Sequence, residues 1–158
     1  MSALNWTIHR TQGLVVIRGV GVFDLPFMAS FREAMRAEGA AGYCKLFDLS
    51  RADIQLSRDD LEIMAARTRL ADALRSGPIA IMLGHNPPPL LVDMAILLMN
   101  RIGKRRRLRL FTNESEARLW LSSEARQFNS EQVLRREGSR LDALRPLVSA
   151  SFGRRGGS

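Results

Sequence analysis

The sequence predicts an α/β fold in which an N-terminal hairpin is followed by successive βα turns, giving a mixed, mostly parallel five-stranded sheet flanked by helices. Three observations predict this fold. Short apolar runs alternate with segments of helical periodicity, a pattern that favours parallel strands covered by helices. Turns that contain glycine or proline separate these segments. The length of 158 residues and the hydrophobic content of 46% suit one compact core.

The N-terminal part predicts a hairpin and a first helix. Residues 6–10 and 14–19 are strand candidates, and Gly13 between them can adopt the positive φ of a tight turn. Asp24 can cap the following helix. Pro26 lies in the first turn of that helix, where its missing N–H costs no hydrogen bond.

Three further strands are predicted, each followed by a helix. The strands are the short apolar runs 44–49, 79–83 and 108–111. The helix after the first of them begins with Ser57 and Asp60, which have the spacing of a capping box. The next helix covers residues 90–102, and Asn113 is expected to cap a short last helix that ends near Leu121.

We predict three segments along the chain. Residues 1–122 form the domain, residues 123–148 form a C-terminal helical extension, and residues 149–158 form a disordered tail of low complexity. Within the extension, Gly138 is expected to end a polar helix, because glycine commonly follows the last helical residue.

The segment that joins the last strand to the last helix carries a family resemblance. Phe111, Ala117 and the pair Trp120 and Leu121 match the F-x-x-x-x-x-A-x-x-W-L ending of bacterial SpoIIAA-like proteins. These proteins belong to the STAS superfamily, and their core is similar to that of CRAL-TRIO domains. Residues 43–49 resemble their central strand, so the resemblance covers residues 4–122. It implies a small α/β fold and a role in recognising a protein or a ligand.

The turn after the central strand departs from the phosphoregulated branch of this family. Those proteins carry an Asp-Ser-Ser/Thr-Gly type turn, with a phosphorylated hydroxyl at a helix N-terminus. This chain instead has Asp48, Leu49, Ser50 and Arg51, with no glycine. Ser50 and Ser57 are the nearest hydroxyls, and neither matches the family position, so the resemblance does not extend a phosphoserine switch to this chain.

Composition bounds the class of protein. The single cysteine, Cys44, excludes an internal disulfide and is expected to be a buried, inert thiol. Without a secretory signal, we expect a cytoplasmic protein. No apolar stretch reaches the roughly 20 residues that span a bilayer. A phosphate-binding glycine loop, a nucleophile elbow and a set of metal ligands are all missing from the sequence, so we expect no enzyme activity, no metal and no cofactor.

Polar residues follow the predicted parallel strands, at the edge of the sheet where ligands of such folds bind. The candidate edge for a ligand or a partner consists of Asp48, Ser50, His85, Asn86, Thr112 and Asn113. An Asp and a His at this edge could form an acid–base pair. The alternative is that Asp48 and Asn113 only accept hydrogen bonds from backbone N–H groups in turns.

The net charge of +8 comes from residues 101–158, because residues 1–100 hold equal numbers of basic and acidic side chains. The densest basic run offers these candidate anion contacts: Arg101, Lys104, Arg105, Arg106 and Arg107. They could bind nucleic acid or an anionic membrane without specificity. We favour the alternative that Arg107 and Arg109 share one face of an edge strand, where charge blocks pairing with another sheet.

The helix at residues 90–102 has a wider apolar arc than a helix on the surface of a sheet needs. Its core stripe consists of Leu91, Met94, Ala95, Leu98 and Ile102. The candidates for a dimer contact or for contact with an apolar ligand are Leu90, Val92, Ile96, Leu97 and Met99. Burial under the C-terminal helix, a homodimer contact and a lipid-like ligand are the three alternatives for this arc.

We therefore predict a non-enzymatic, cytoplasmic STAS-like module that acts by binding a protein partner and forms a homodimer. The alternative function is binding of a lipid-like or other small apolar ligand, as the kinship with CRAL-TRIO domains implies. Binding of polyanions by the basic run is the third hypothesis.

Overall fold

A computed structural model describes residues 3–70, 76–102 and 107–152. The chain divides into two compact units, residues 1–125 and residues 126–158. The first unit contains the whole of the sheet. Of the segment expected to be a disordered tail, residues 149–152 are helical and the rest lie outside the described residues.

The sheet of the first unit confirms the predicted fold class. Its strands are β1 (Asn5–His9), β2 (Leu14–Arg18), β4 (Cys44–Asp48), β6 (Ile79–Met82) and β7 (Leu108–Phe111). They lie in the order β1-β2-β4-β6-β7, and only the β1–β2 hairpin is antiparallel. A second, two-stranded parallel sheet joins β3 (Val22–Phe23) to β5 (Asp53–Ile54). The sequence did not predict this second sheet.

The helices are α1 (Leu25–Ala37), α2 (Arg58–Leu70), α3 (Pro89–Ile102) and α4 (Glu114–Phe152). Their predicted caps are confirmed. The Asp24 carboxylate accepts a hydrogen bond from the N–H of Phe27 at 2.9 Å, and the Asn113 side chain accepts one from the N–H of Ser115 at 2.8 Å. The Ser57–Asp60 pair forms the reciprocal bonds of a capping box, at 2.9 and 3.1 Å.

Helix α4 is longer than the sequence predicted. It does not end near Leu121 or at Gly138 but continues to Phe152. A glycine inside a helix costs only about 1 kcal/mol, so Gly138 alone does not end it. The Ser122 and Ser130 hydroxyls donate to the carbonyls four residues earlier, at 3.0 and 2.9 Å, so they do not compete for the N–H groups that a new cap would need. Among the described residues, no helix is long and apolar enough to cross a membrane.

The two faces of the sheet are covered by different helices. Side chains of β4 alternate between the faces, so Cys44 and Leu46 lie on one side and Phe47 on the other. The first turns of α4 cover the Leu46 face through the buried residues Ala117 and Leu121. Helices α1, α2 and α3 contribute to the apolar cluster on the opposite face. The candidate site lies on that opposite face.

Gly77, just before β6, offers a test of this packing. A Cβ at position 77 would lie 2.5 Å from the carbonyl oxygen of Tyr43 and 2.6 Å from that of Gly42, both of which are backbone atoms. Gly77→Ala should therefore lower the free energy of unfolding by about 1–3 kcal/mol, as overpacking does. Thermal or urea unfolding measures the change.

The matched control is Gly138→Ala in α4, where an added Cβ meets no atom within 4 Å. That variant should leave stability unchanged or raise it by up to about 1 kcal/mol, because alanine favours the helix. Equal stability of Gly77→Ala and the parent chain would contradict the close packing of residue 77 against the segment before β4.

Candidate functional site

A cavity of about 490 Å³ lies between the sheet and the helices α1, α2 and α3. Its floor is formed by side chains of β4, β6 and β7, including Phe47, Ile81 and Leu108. Small-molecule sites in proteins have volumes of about 300 to 1,000 Å³, so this cavity is of the size that holds a ligand.

The walls of the cavity are apolar and come from elements far apart in the chain. Helix α1 contributes Met28, Phe31 and Met35, and helix α3 contributes Leu91, Met94, Ala95 and Leu98. The aromatic rings are fixed by edge-on contacts. The ring of Phe47 lies 5.4 Å from that of Phe31 and 6.1 Å from that of Phe23, at interplanar angles of 66° and 78°.

Lys45 brings a positive charge to the floor of the cavity. Its side chain is on the same face of β4 as Phe47, and the residue is only 4% exposed. The Nζ atom donates hydrogen bonds to the carbonyl oxygens of Ala41 at 2.7 Å and Tyr43 at 2.9 Å. A buried ammonium needs such partners because burial removes its hydration. These two carbonyls hold the ammonium at the end of the sheet where β4 begins.

Two arginines of α1 also line the cavity. The guanidinium of Arg32 donates to the carbonyl oxygen of Met64 in α2, at 3.3 Å, and so links two of the cavity walls. Burial lowers the pKa of Arg32, and the nearby charge of Arg67 lowers it further. Arg36 lies one turn after Arg32 and is exposed. The mostly apolar lining therefore includes three basic side chains, of which Arg36 and Lys45 lie near the amino edge of the sheet.

The most exposed residues of the lining are Arg36 and Ala41. Arg36 is near the end of α1, and Ala41 precedes β4, so both lie where the parallel strands begin. The two most exposed residues of the lining are thus at the amino edge of the sheet. Polar residues had been expected to mark a ligand edge at the opposite, carboxyl edge.

The residues predicted for the carboxyl edge lie there but do not line the cavity. The Asp48 carboxylate accepts hydrogen bonds from the hydroxyl of Ser50 at 2.6 Å and from its N–H at 3.2 Å, which forms a local turn. Asn113 is the cap of α4. The remaining three, all exposed, are His85, Asn86 and Thr112.

The residues predicted as the contact surface of α3 lie outside the cavity lining. Leu90 and Ile96 are exposed, at 68% and 43%. The other three are half-buried: Val92, Leu97 and Met99. The side chains of α3 that do line the cavity belong to the stripe that the sequence assigned to the core.

The basic run is only partly described. Lys104, Arg105 and Arg106 lie outside the described residues, as does the side chain of Arg101. Arg107 forms an ion pair with Glu124 of α4 at 2.8 Å. Strand β7 is at the edge of the sheet, as predicted. The guanidinium carbon of Arg109 lies 5.3 Å from the centre of the Phe111 ring, a cation–π contact.

Cys44 lies on the sheet face away from the cavity. It is buried, and its Sγ lies 3.8 Å from the carbonyl oxygen of Leu121. Burial raises the pKa of the Cys44 thiol, and the charge of Lys45 offsets this only in part. Within the described part of the chain, no group of three or more His, Cys, Asp or Glu side chains could hold a metal ion.

The basic side chains of the cavity were not predicted from the sequence. A signal was present in the sequence of β4, where Lys45 interrupts a run of apolar residues, since lysine is rarely buried unless it is paired. A second signal was the spacing of Arg32 and Arg36, which puts them on one side of α1. The sequence could not show that side chains of α2 and α3 close the same cavity.

Comparisons with known proteins identify the fold. No family model and no curated protein matches the chain. A crystal structure of an uncharacterized protein of the DUF3478 family from Shewanella loihica PV-4, with a SpoIIAA-like fold, is similar to this chain with a TM-score of 0.52. The two are 15% identical, over 77% of this chain and 95% of the other. The chain therefore has the SpoIIAA-like fold that its sequence predicted.

The buried position of Cys44 predicts that its thiol reacts slowly in the folded protein. At pH 8 the folded protein should react with a thiol-specific disulfide reagent at least about a hundredfold more slowly than the protein in urea, because reaction requires opening of the core. The raised pKa also makes the stability of the folded protein depend on pH. The stabilising effect of the neutral thiol is present below the pKa of an unfolded cysteine and is lost as pH rises through the higher pKa of the folded state.

Cys44→Ser is the control, because it keeps a small side chain and removes the reactive sulfur. It should abolish labelling in both states. Reaction of the folded parent protein at the rate of a free thiol would contradict the burial of Cys44.

Proposed function

We propose that this protein is a cytoplasmic, non-enzymatic carrier or sensor of a small apolar ligand, held in the cavity between the sheet and helices α1 to α3. The single observation that carries the proposal is the volume of that cavity, about 490 Å³. Protein cores are packed to the density of organic crystals and contain few spaces larger than a water molecule. Because the cavity also has exposed residues in its lining, its volume fits a small-molecule site better than a void in a packed core.

The lining determines what would fill the cavity. It consists mainly of aliphatic, methionine and aromatic side chains, and Met28, Met35 and Met64 can adapt to ligands of different shape. An empty apolar space of this size costs stability, since its walls lose contacts that a filled core would make. A bound apolar ligand would restore those contacts and stabilise the folded protein.

A neutral fluorescent dye tests this proposal. N-phenylnaphthylamine should bind to the parent protein with an increase in fluorescence and should raise the midpoint of thermal unfolding. Ala95→Phe places a ring in the space between α3 and the sheet and should weaken binding of the dye by at least about tenfold. Leu91→Trp is a second variant that fills the cavity from a half-buried position, in case Ala95→Phe does not fold.

Ala66→Phe is the matched control. Ala66 is an exposed residue of α2 outside the cavity lining, so its substitution should leave dye binding unchanged. The proposal fails if the parent protein shows no saturable binding, or if both cavity-filling variants bind the dye as well as the parent does.

We propose self-association through α4 as a second function, because the second unit exposes a row of apolar side chains. The exposed residues are Val133, Leu134, Leu141 and Leu144. Leu134 and Leu141 are seven residues apart, and Leu144 follows three residues later, which is the spacing of one seam of a coiled coil. The occupant that such a seam fits is the same seam of a second copy of this chain.

Light scattering after size-exclusion chromatography tests this second function. The parent protein should be a dimer, and the double substitution Leu134→Ser and Leu141→Ser should convert it to a monomer. Leu119→Ser, at an exposed position of the same helix within the first unit, should remain a dimer. A parent protein that is monomeric at high concentration would contradict the proposal.

A further inference from the structure

The charge at one end of the cavity narrows the class of ligand, on the premise that the cavity binds an apolar molecule as proposed above. Arg32, Arg36 and Lys45 all line the cavity. The remaining described residues of the lining include no aspartate or glutamate. A purely apolar ligand would gain nothing from three cationic side chains at the wall of its site.

Lys45 and Arg36 lie toward the amino edge of the sheet, and Arg32 lies one turn of α1 before Arg36. Lys45 Nζ is held 2.7 Å from the carbonyl oxygen of Ala41, and Ala41 is itself an exposed part of the lining. Arg36 is the other exposed part. The opposite end, beyond the carboxyl ends of β4 and β6, is lined by Leu49, Leu56 and Leu83. The cavity thus has a cationic end, which includes its two most exposed residues, and an apolar end.

A ligand that matches these two ends has an anionic group at one end and an apolar chain at the other. We propose that the ligand is a single-chain anionic amphiphile, with its carboxylate or phosphate at the Arg32, Arg36 and Lys45 end and its alkyl chain along the apolar space toward Leu83. Guanidinium groups suit both anions, because their planar N–H donors match carboxylate and phosphate oxygens. Both anions are stabilised by positive charge near a low-dielectric wall. The distance from Lys45 to Leu49, four residues along an extended chain, is roughly 13 Å, which is long enough for a medium-length alkyl chain.

An anionic ligand should bind more tightly than a neutral one because the cationic end of the cavity includes the exposed Arg36. An amphiphile can enter with its chain first and keep its anion where Arg36 meets water, so the anion is not fully desolvated. A neutral alcohol of the same length would bury the same chain without the charge-assisted hydrogen bonds. Displacement of N-phenylnaphthylamine by dodecanoate and by dodecyl phosphate, below their micelle concentrations, should therefore occur at concentrations about tenfold lower than for dodecanol.

Arg36→Gln tests the assignment of the head group, because Arg36 is exposed and its loss should not disturb the fold. This variant should weaken dodecanoate binding by about tenfold and leave dodecanol binding unchanged. Arg36→Lys, which keeps the charge, should recover part of the loss. Arg51→Gln, an exposed arginine outside the lining, is the matched control and should bind both compounds as the parent does.

Each outcome decides between the two proposals. Tighter binding of either anion than of dodecanol, with a loss at Arg36→Gln and none at Arg51→Gln, supports the anionic head group. Equal displacement by dodecanoate, dodecanol and dodecyltrimethylammonium overturns the head group but leaves an apolar binding site. Absence of dye binding to the parent protein overturns the binding site itself, and the anionic ligand with it.

Discussion

Strand β4 must be covered on both of its faces, and most of the structure follows from how this is done. It pairs with β2 on one side and with β6 on the other, so it has no free edge. Its side chains alternate between two layers of helices. The first turns of α4 fit closely on the layer that contains Leu46, which is fully buried. The three helices on the other layer leave a cavity between themselves and the sheet. The two faces of β4 therefore differ, since one packs directly against α4 and the other borders the cavity.

Lys45 is the buried charged residue of that strand. A methylene chain allows the residue to cross an apolar layer, and its ammonium is received by carbonyls of Ala41 and Tyr43 at the start of the strand. An apolar residue of similar volume would satisfy the packing without any such bonds, and buried charges are rarely a source of stability. Lys45 also lines the cavity, where its charge agrees with the proposed anionic ligand.

The sequence predicted interactions that are local. The caps at Asp24 and Asn113 involve residues two or three positions away, and the mostly parallel sheet follows from alternating strands and helices, so both could be predicted from the sequence. The two-residue strands β3 and β5 are too short to leave a pattern. The cavity depends on packing between distant segments, such as the contact of Arg32 with Met64, 32 residues away. Hydrophobic periodicity shows that each helix has an apolar face, but it does not show whether three such faces meet.

The location of the only cysteine has a practical consequence for spectroscopy. Cys44 is buried against α4, and the sheet separates it from the cavity. The natural sequence is therefore already a suitable background for attaching a single reporter group, since its own thiol is shielded. A cysteine introduced at the exposed Ala41 would place a nitroxide or a fluorophore beside the mouth of the cavity. Ligand entry could then be followed by electron paramagnetic resonance or by energy transfer from the natural tryptophans.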